Sequence, residues 1–326
     1  MFGVDAGLLS RQYRLHLSNF LYWKEEKYNA EFMLFKKNMG THLSIDETSL
    51  SQGELYTIVT NKAAKGKKGS LVAIIRGVKS ENVIFALSRL PETKRKMVKE
   101  MTLDLSPTMK LISRKCFPNA SLVCDRFHVQ RLLNEAVSDL RISYRWQAID
   151  LENAEIQLGK EMGQRYIPHV FPNGDTRRQL LARSRHIVLK NSSKWTQSQI
   201  QRAEILFEEY PELKMAYDLS AELTQIYNLK IKKEVALTKL AHWYNKVDKL
   251  NCKFFKSVIQ TMQNNYRDIV NYFDNRSTNA SAESFNAKIK AFRAQFRGVK
   301  DIPFFIFRLA NLFGSSQKVV GDFRIY

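Results

Sequence analysis

The stretch VKEMTLDLSPTMKLISRKCFPNASLVCD, Val98 to Asp125, decides the fold class. Its first seven residues read as a strand ending in a carboxylate, Asp104. Ser106-Pro107 then supplies a helix start, because proline at the first helical position gives up no hydrogen bond. The helix runs to Phe117 and yields to SLVCD, a second strand ending in a carboxylate, Asp125.

Upstream the pattern is strand-rich. THLSIDETSL alternates, with Leu43 and Ile45 on one face and Ser44, Asp46 and Thr48 on the other. LYTIVTN follows a Ser-Gln-Gly turn and makes an antiparallel partner. The lysine-rich turn KAAKGKKG leads into SLVAIIRG, a continuous apolar run typical of a buried strand. Ser80 to Leu90 reads as an amphipathic helix capped by Ser80. Three strands joined by turns and two more reached through helices predict an α/β fold with a mixed five-stranded sheet flanked by helices.

Downstream, His128 to about Phe273 reads as almost wholly helical. Val129, Leu132, Leu133, Ala136, Val137 and Leu140 form one apolar stripe, and Phe254, Phe255, Val258, Ile259 and Met262 another. Pro and Gly between Gln164 and Arg177 mark a loop. The expected organisation is a short helical segment over 1–40, a first part of the α/β core over 41–147, an all-helical insertion over 148–274, and a return to the core over 275–326.

The 326 residues carry 52 Lys and Arg against 32 Asp and Glu, a formal charge of +20. Few Gly and Pro argue against a turn-dense sandwich. Cys116, Cys124 and Cys252 are odd in number and widely spaced, which excludes a disulfide framework and a zinc ribbon and favours a reducing compartment. No run is long and apolar enough for a membrane span, and no secretory leader opens the chain, so a cytoplasmic location is expected. A surplus of this size, spread along the chain, points to nucleic acid.

Four segments carry a family resemblance: HLSIDETSL (His42 to Leu50), LDLSPTMKLISRKCFPNASLVCDRFHVQRLL (Leu103 to Leu133), SRHIVLKNSSKWTQSQ (Ser184 to Gln199) and TNASAESFNAKIKAFRAQFRG (Thr278 to Gly298). In wording and order they resemble the catalytic region of bacterial insertion-sequence transposases of the ISL3 family. These are DDE transposases whose core resembles ribonuclease H. The resemblance implies a bacterial, nucleoid-associated enzyme that uses two Mg²⁺ or Mn²⁺ ions per active site on double-stranded DNA, both element ends and target.

Carried over by position, the resemblance makes Asp46 the first-strand acid and Glu283 the helical acid. For the second acid both Asp104 and Asp125 end strands. Neighbouring strands lie about 4.8 Å apart and the next about twice that, so Asp104 is the preferred partner of Asp46, with Asp125 the alternative. Asp125 and His128, in DRFH, are expected to border the site. Glu47 follows Asp46 but alternates to the opposite face, which marks it as structural.

The Glu283 helix adds a second line of reasoning. At about 100° per residue, Phe285, Ile289, Phe292 and Phe296 cluster on one side. Glu283, Asn286, Lys290, Arg293 and Arg297 share the other, and no acid intervenes before Asp301. A lone carboxylate at the head of a basic stripe suits a metal ligand with phosphates tracking past it. Asn279 and Asn286 would border the site, and Lys290, Arg293, Arg297, Lys65, Lys67 and Lys68 would contact DNA. Further basic clusters are Lys94 to Lys99, Arg177 to Arg185 and Lys230 to Lys233.

The implied reaction is phosphodiester hydrolysis at element ends followed by strand transfer of the freed 3′-hydroxyl. The competing readings are a metal-dependent nuclease of the same fold that does not join, and a non-catalytic basic DNA-binding protein. Only about forty residues precede Thr41, fewer than the upstream recognition region of such transposases, so a separate DNA-recognition polypeptide is expected to supply end recognition. Action as a homo-oligomer on DNA is expected, and no membrane partner.

Overall fold

Alternation along the strands separates two apolar faces, and a six-stranded mixed sheet in the order β1-β4-β3-β2-β5-β6 is the result. The computed structural model describes residues 5–51, 53–277, 280–295 and 301–314. The chain divides into two units, one formed by residues 1–125 and 275–326, the other by 126–274.

In the first unit, helices α1 (Ala6–Gln12) and α2 (Phe20–Glu26) precede β1 (Phe32–Leu34), β2 (His42–Ser51), β3 (Glu54–Asn61) and β4 (Leu71–Arg76). Then come α3 (Ser80–Ser88), α4 (Glu92–Lys96), β5 (Glu100–Leu103), α5 (Pro107–Cys116) and β6 (Ser121–Cys124). β2 pairs antiparallel with β3, and β3 with β4. β5 pairs parallel with β2 and with β6. The Ser106 side chain caps α5 by accepting from the Met109 N–H, with Pro107 at the first helical position.

One strand more is present than the sequence pattern predicts. β1, only Phe-Met-Leu, adds antiparallel to the edge strand β4 from a region read as helix up to Asn38. Three residues are too few to show a period of two, and all three are buried, so no alternation exists to be seen.

One face of the sheet presents Leu43, Ile45, Val59, Ala73, Met101 and Leu103 to Val83, Ala86 and Leu87 of α3 and to Met109 and Ile112 of α5. The other presents Tyr56, Ile58, Leu71 and Ile74 to the last two helices of the unit and to Phe20 and Trp23 of α2.

The second unit is helical: α6 (Arg126–Glu161), α7 (Arg177–Arg183), α8 (Gln197–Glu209), α9 (Pro211–Asn228), α10 (Lys233–Leu250), α11 (Lys253–Asn264) and α12 (Tyr266–Val270). The short α13 (Tyr272–Asn275) carries the chain to the last residue of this unit, Asp274, and Asn275 already belongs to the first unit. The predicted stripe of α6 is buried at Val129, Leu133, Ala136, Val137 and Leu140. Trp243 is fully buried and its indole N–H donates to the Leu219 carbonyl at 2.8 Å. Asp175, also fully buried, accepts from Arg202 at 2.7 Å, from Asn173 at 3.0 Å and from Arg183, joining the loop before α7 to α7 and α8. Burial pushes its carboxyl up, but the two guanidiniums outweigh this and hold it below the ordinary carboxylate value.

The chain then returns to the first unit with α14 (Ala280–Gln295) and α15 (Ile302–Phe313). No helix among the described residues is long and apolar enough to cross a membrane.

Candidate active site

The parallel pairing of β2 with β5 runs toward two of the expected acids. Ser44 of β2 lies opposite Thr102 of β5, and Asp46 and Asp104 each follow two residues further on. Leu103 of β5 lies opposite Cys124 of β6, and the Asp125 N–H donates to the Leu103 carbonyl at 2.9 Å, so Asp125 falls next in the row. Since Leu43, Ile45, Met101 and Leu103 point into the α3/α5 core, alternation turns Asp46 and Asp104 toward the opposite face. Asp125 is 1% exposed, whereas Asp46 and Asp104 are half-buried.

Each of the two half-buried acids is held in place. Asp104 Oδ1 accepts the Ser106 N–H at 2.9 Å, so the turn that starts α5 also fixes the carboxylate. Asp46 Oδ1 accepts the Glu47 N–H at 2.9 Å, and Oδ2 accepts the Asn286 side-chain amide at 2.7 Å.

α14 is seated by its apolar side. Phe285 and Ile289 are fully buried and Phe292 packs against the same core, as the helical period predicts. Burying Phe285 and Ile289 contributes about 1.5–3 kcal/mol each. Asn286 meets Asp46, and Arg293 Nη1 donates to the Ser49 carbonyl at 3.2 Å. Seven helical residues span about 10.5 Å and three strand residues about 10 Å, so helix and strand run alongside each other. Glu283, exposed, stands one turn before Asn286, about 4.5 Å back along the axis.

Lys65, Lys67 and Lys68 project, exposed, from the turn between β3 and β4. The Lys288 ammonium of α14 donates to the Gly66 carbonyl at 2.6 Å, which brings that turn against the helix carrying the exposed Lys290. Asn279, Arg297 and Phe296 lie outside the described residues. His128 sits in the first turn of α6, its ring edge-on to Phe127, within the helical unit.

Glu47 lies within reach of the charges of both acids. It alternates away from Asp46 as predicted, yet burial, then the charge of Asp104, then that of Asp46 push its carboxyl above the ordinary value. No Lys, Arg or His among the described residues forms an ion pair with Asp104 or Glu47. The charges of Asp104 and Asp46 therefore bear on Glu47 from the same strand edge.

A second cluster escaped sequence reasoning. Glu100, at the opposite end of β5, is buried and accepts from the Lys62 ammonium at 3.0 Å and the Asn275 amide at 3.3 Å. Lys62 also donates to the Thr102 hydroxyl at 2.7 Å. Burial alone would raise the Glu100 carboxyl, but hydrogen bonding from Ser277 and the Lys62 charge outweigh it and hold it below the ordinary value. Lys62 is thus turned inward, unlike the three lysines after it. The one available signal was an acid two residues before Thr102, on the polar face of a strand whose other face carries Met101 and Leu103.

Several residues of the other basic clusters have partners within the chain. Lys94 donates to the Lys36 carbonyl, Arg95 to that of Cys116, and Arg177, Arg178 and Lys233 pair with Glu209, Glu152 and Asp274.

A mixed sheet in which antiparallel strands give way to two parallel ones, with acids where the parallel strands end, defines a ribonuclease H-like core. A family model described as a transposase, of the ISL3 DDE type, matches residues 43–309. The chain belongs to the ISL3 family of DDE transposases. Comparison with curated proteins and with solved structures gives no match.

Proposed function

We propose that the protein cleaves DNA at the ends of a mobile element and joins the freed 3′-hydroxyl to target DNA, with Asp46, Asp104 and Glu283 as ligands of two divalent metal ions. The observation that carries this reading is the fastening of the Glu283 helix to Asp46 through Asn286, on a strand that pairs in parallel with β5 just ahead of Asp104.

The donor set fits Mg²⁺ or Mn²⁺. All three groups offer hard carboxylate oxygens, and Asp104 has no cationic partner among the described residues. Among those residues no three His, Cys, Asp or Glu side chains are gathered as a metal-binding group, so Glu283 does not close on Asp46 and Asp104 in the metal-free chain. A site for Mg²⁺ needs only one or two carboxylates per ion, with water and substrate phosphate completing the shell. When bound, such ions would activate the attacking oxygen and stabilise the leaving 3′ oxygen.

The chain's own residues do the positioning. Asn286 holds one oxygen of Asp46, and the Ser106 N–H holds one of Asp104, leaving the other Asp104 oxygen for a ligand. Lys65, Lys67, Lys68 and Lys290 lie on adjoining elements as compact charges for the DNA backbone, whose binding falls with salt as phosphates are neutralised. Asp125, buried, supports the sheet edge beside Asp104.

The test is Asp46→Asn on a duplex carrying an element end. Binding is expected to stay within about threefold while cleavage and joining fall by at least a thousandfold, the scale of a lost electrostatic catalyst. Full activity in this variant would sink the assignment, and metal-dependent cutting without joined products from the native chain would favour a nuclease.

A further inference from the structure

In the helical unit one guanidinium is buried where a carboxylate would be expected, and none pairs with it among the described residues. Arg141 of α6 is 4% exposed. Its Nη1 donates to the Leu181 carbonyl of α7 at 2.6 Å, while its Nε is buried with no acceptor. Arg145, one turn further along the same face of α6, also has a buried Nε with no acceptor. Arg185 follows α7 in the turn Ser184–His186 and is exposed.

The carboxylates of this neighbourhood are already engaged. Asp175 holds Arg183 and Arg202, Glu152 holds Arg178, and Glu209 holds Arg177. Among the described residues no acid forms an ion pair with Arg141, Arg145 or Arg185. Burial, then the charges of Arg145 and Arg185, depress the basicity of Arg141, and no carboxylate offsets them. Arginine does not discharge by losing its proton in a protein, so the cost of this arrangement persists in the free chain. An uncompensated buried charge is among the more destabilising features a fold can carry.

We propose that Arg141, Arg145 and Arg185 form an anion site in the helical unit that takes a backbone phosphate of DNA. The arrangement grades from buried Arg141 through half-buried Arg145 to exposed Arg185, so an anion held at the solvent side would face positive charge that continues to depth. Guanidinium forks match phosphate oxygens in pairs, which a single lysine cannot do. The DNA source rests on the transposase reading; the anion site itself rests on the unpaired arginines. No base contact is implied, so the site would hold DNA without reading its sequence.

Two measurements on the full chain test this. Inorganic phosphate should raise the melting temperature saturably, and sodium chloride at matched ionic strength should not. Arg145→Gln/Arg185→Gln, altered on the solvent side, should lose that response, weaken duplex binding about tenfold and lower the slope of log affinity against log salt by about one. Arg141→Met should melt higher than the native chain without phosphate, because it removes an unpaired buried charge. Absence of a phosphate-specific shift overturns the site. A phosphate shift with unchanged duplex binding and slope in the double variant overturns the DNA assignment. Asp46→Asn, in the other unit, should keep the phosphate shift, so failure of the catalytic reading is separable from failure of this one.

Discussion

The Asn286 side-chain amide donates to Asp46 Oδ2 at 2.7 Å, tying the helix that carries Glu283 to the strand that carries the first acid. This bond fixes the orientation of the Asp46 carboxylate and the approach of α14 at once. Groups that orient a metal-binding carboxylate typically matter by about 10–100-fold in affinity or activity. Asn286→Ala is therefore expected to raise the Mg²⁺ concentration for half-maximal cleavage at least tenfold. Phe285 and Ile289 still seat the helix, so the melting temperature should change little. A metal titration of cleavage checks the first expectation and calorimetry the second; an unchanged metal requirement would remove Asn286 from the site.

Asp104 and Asp125 separate by what each loses on substitution. Asp104 is half-buried with one oxygen held by the Ser106 N–H, so Asp104→Asn should fold normally and lose cleavage by at least about a thousandfold. Asp125 is buried at the end of β6, and Asp125→Asn should lower stability by about 1–3 kcal/mol, the scale of disturbing a buried polar group. Single-turnover cleavage and urea denaturation of both variants decide which acid is the second ligand. Loss of cleavage in a fully stable Asp125→Asn, with activity kept in Asp104→Asn, would exchange the roles.

The sheet and the acids at its strand ends were legible because they rest on local pattern. Alternation from Leu43 to Thr48 shows which face Asp46 takes, and the strand-helix-strand run from Val98 to Asp125 shows where the parallel strands end. The apolar side of α14 follows likewise from the spacing of Phe285, Ile289 and Phe292. What pattern could not show was pairing. Lys62 reads as one more lysine of a basic turn, yet Glu100, far along the chain, turns it inward. Nothing in the local pattern singles out Arg141 of α6, which is buried and bonded to the Leu181 carbonyl of α7. Glu47 alternates as expected, but at the end of a strand its half-buried carboxyl still feels the charges of Asp104 and Asp46.

Glu47 gives a pH signature to the metal-free site. Burial and the neighbouring carboxylates raise its folded-state value above the ordinary 4.5. The folded protein then holds a proton more tightly than the unfolded chain, and this group's contribution to stability is lost as pH rises from there through the raised value. Because Glu47 is partly exposed, solvent screening keeps the effect below about 1 kcal/mol. Glu47→Gln should melt slightly higher than the native chain at pH 7 without divalent metal. Adding Mg²⁺ should narrow that gap if the ion neutralises Asp46 and Asp104, and thermal melts with and without EDTA measure both. A gap unaffected by metal would place the ion elsewhere.

Glu100 has the opposite sign. Its carboxyl is held below the ordinary value by the Ser277, Lys62 and Asn275 interactions, so its contribution to stability is present above about pH 4.5 and lost as pH falls through the depressed value. Glu100→Ala leaves the Lys62 ammonium without its carboxylate at a mostly buried position, and breaking such a pair costs roughly 3–5 kcal/mol. The paired change Glu100→Ala/Lys62→Ala removes that orphan and should recover part of the loss. Asn275 and Ser277 lie where the chain re-enters the first unit just ahead of α14, so the loosened segment should also be read in function: Glu100→Ala is expected to reduce cleavage at temperatures where it remains folded. Denaturant titrations at pH 7 and pH 4 test the linkage. A loss of stability in Glu100→Ala that is as large at pH 4 as at pH 7 would mean that shape, and not the buried charge, holds this corner together.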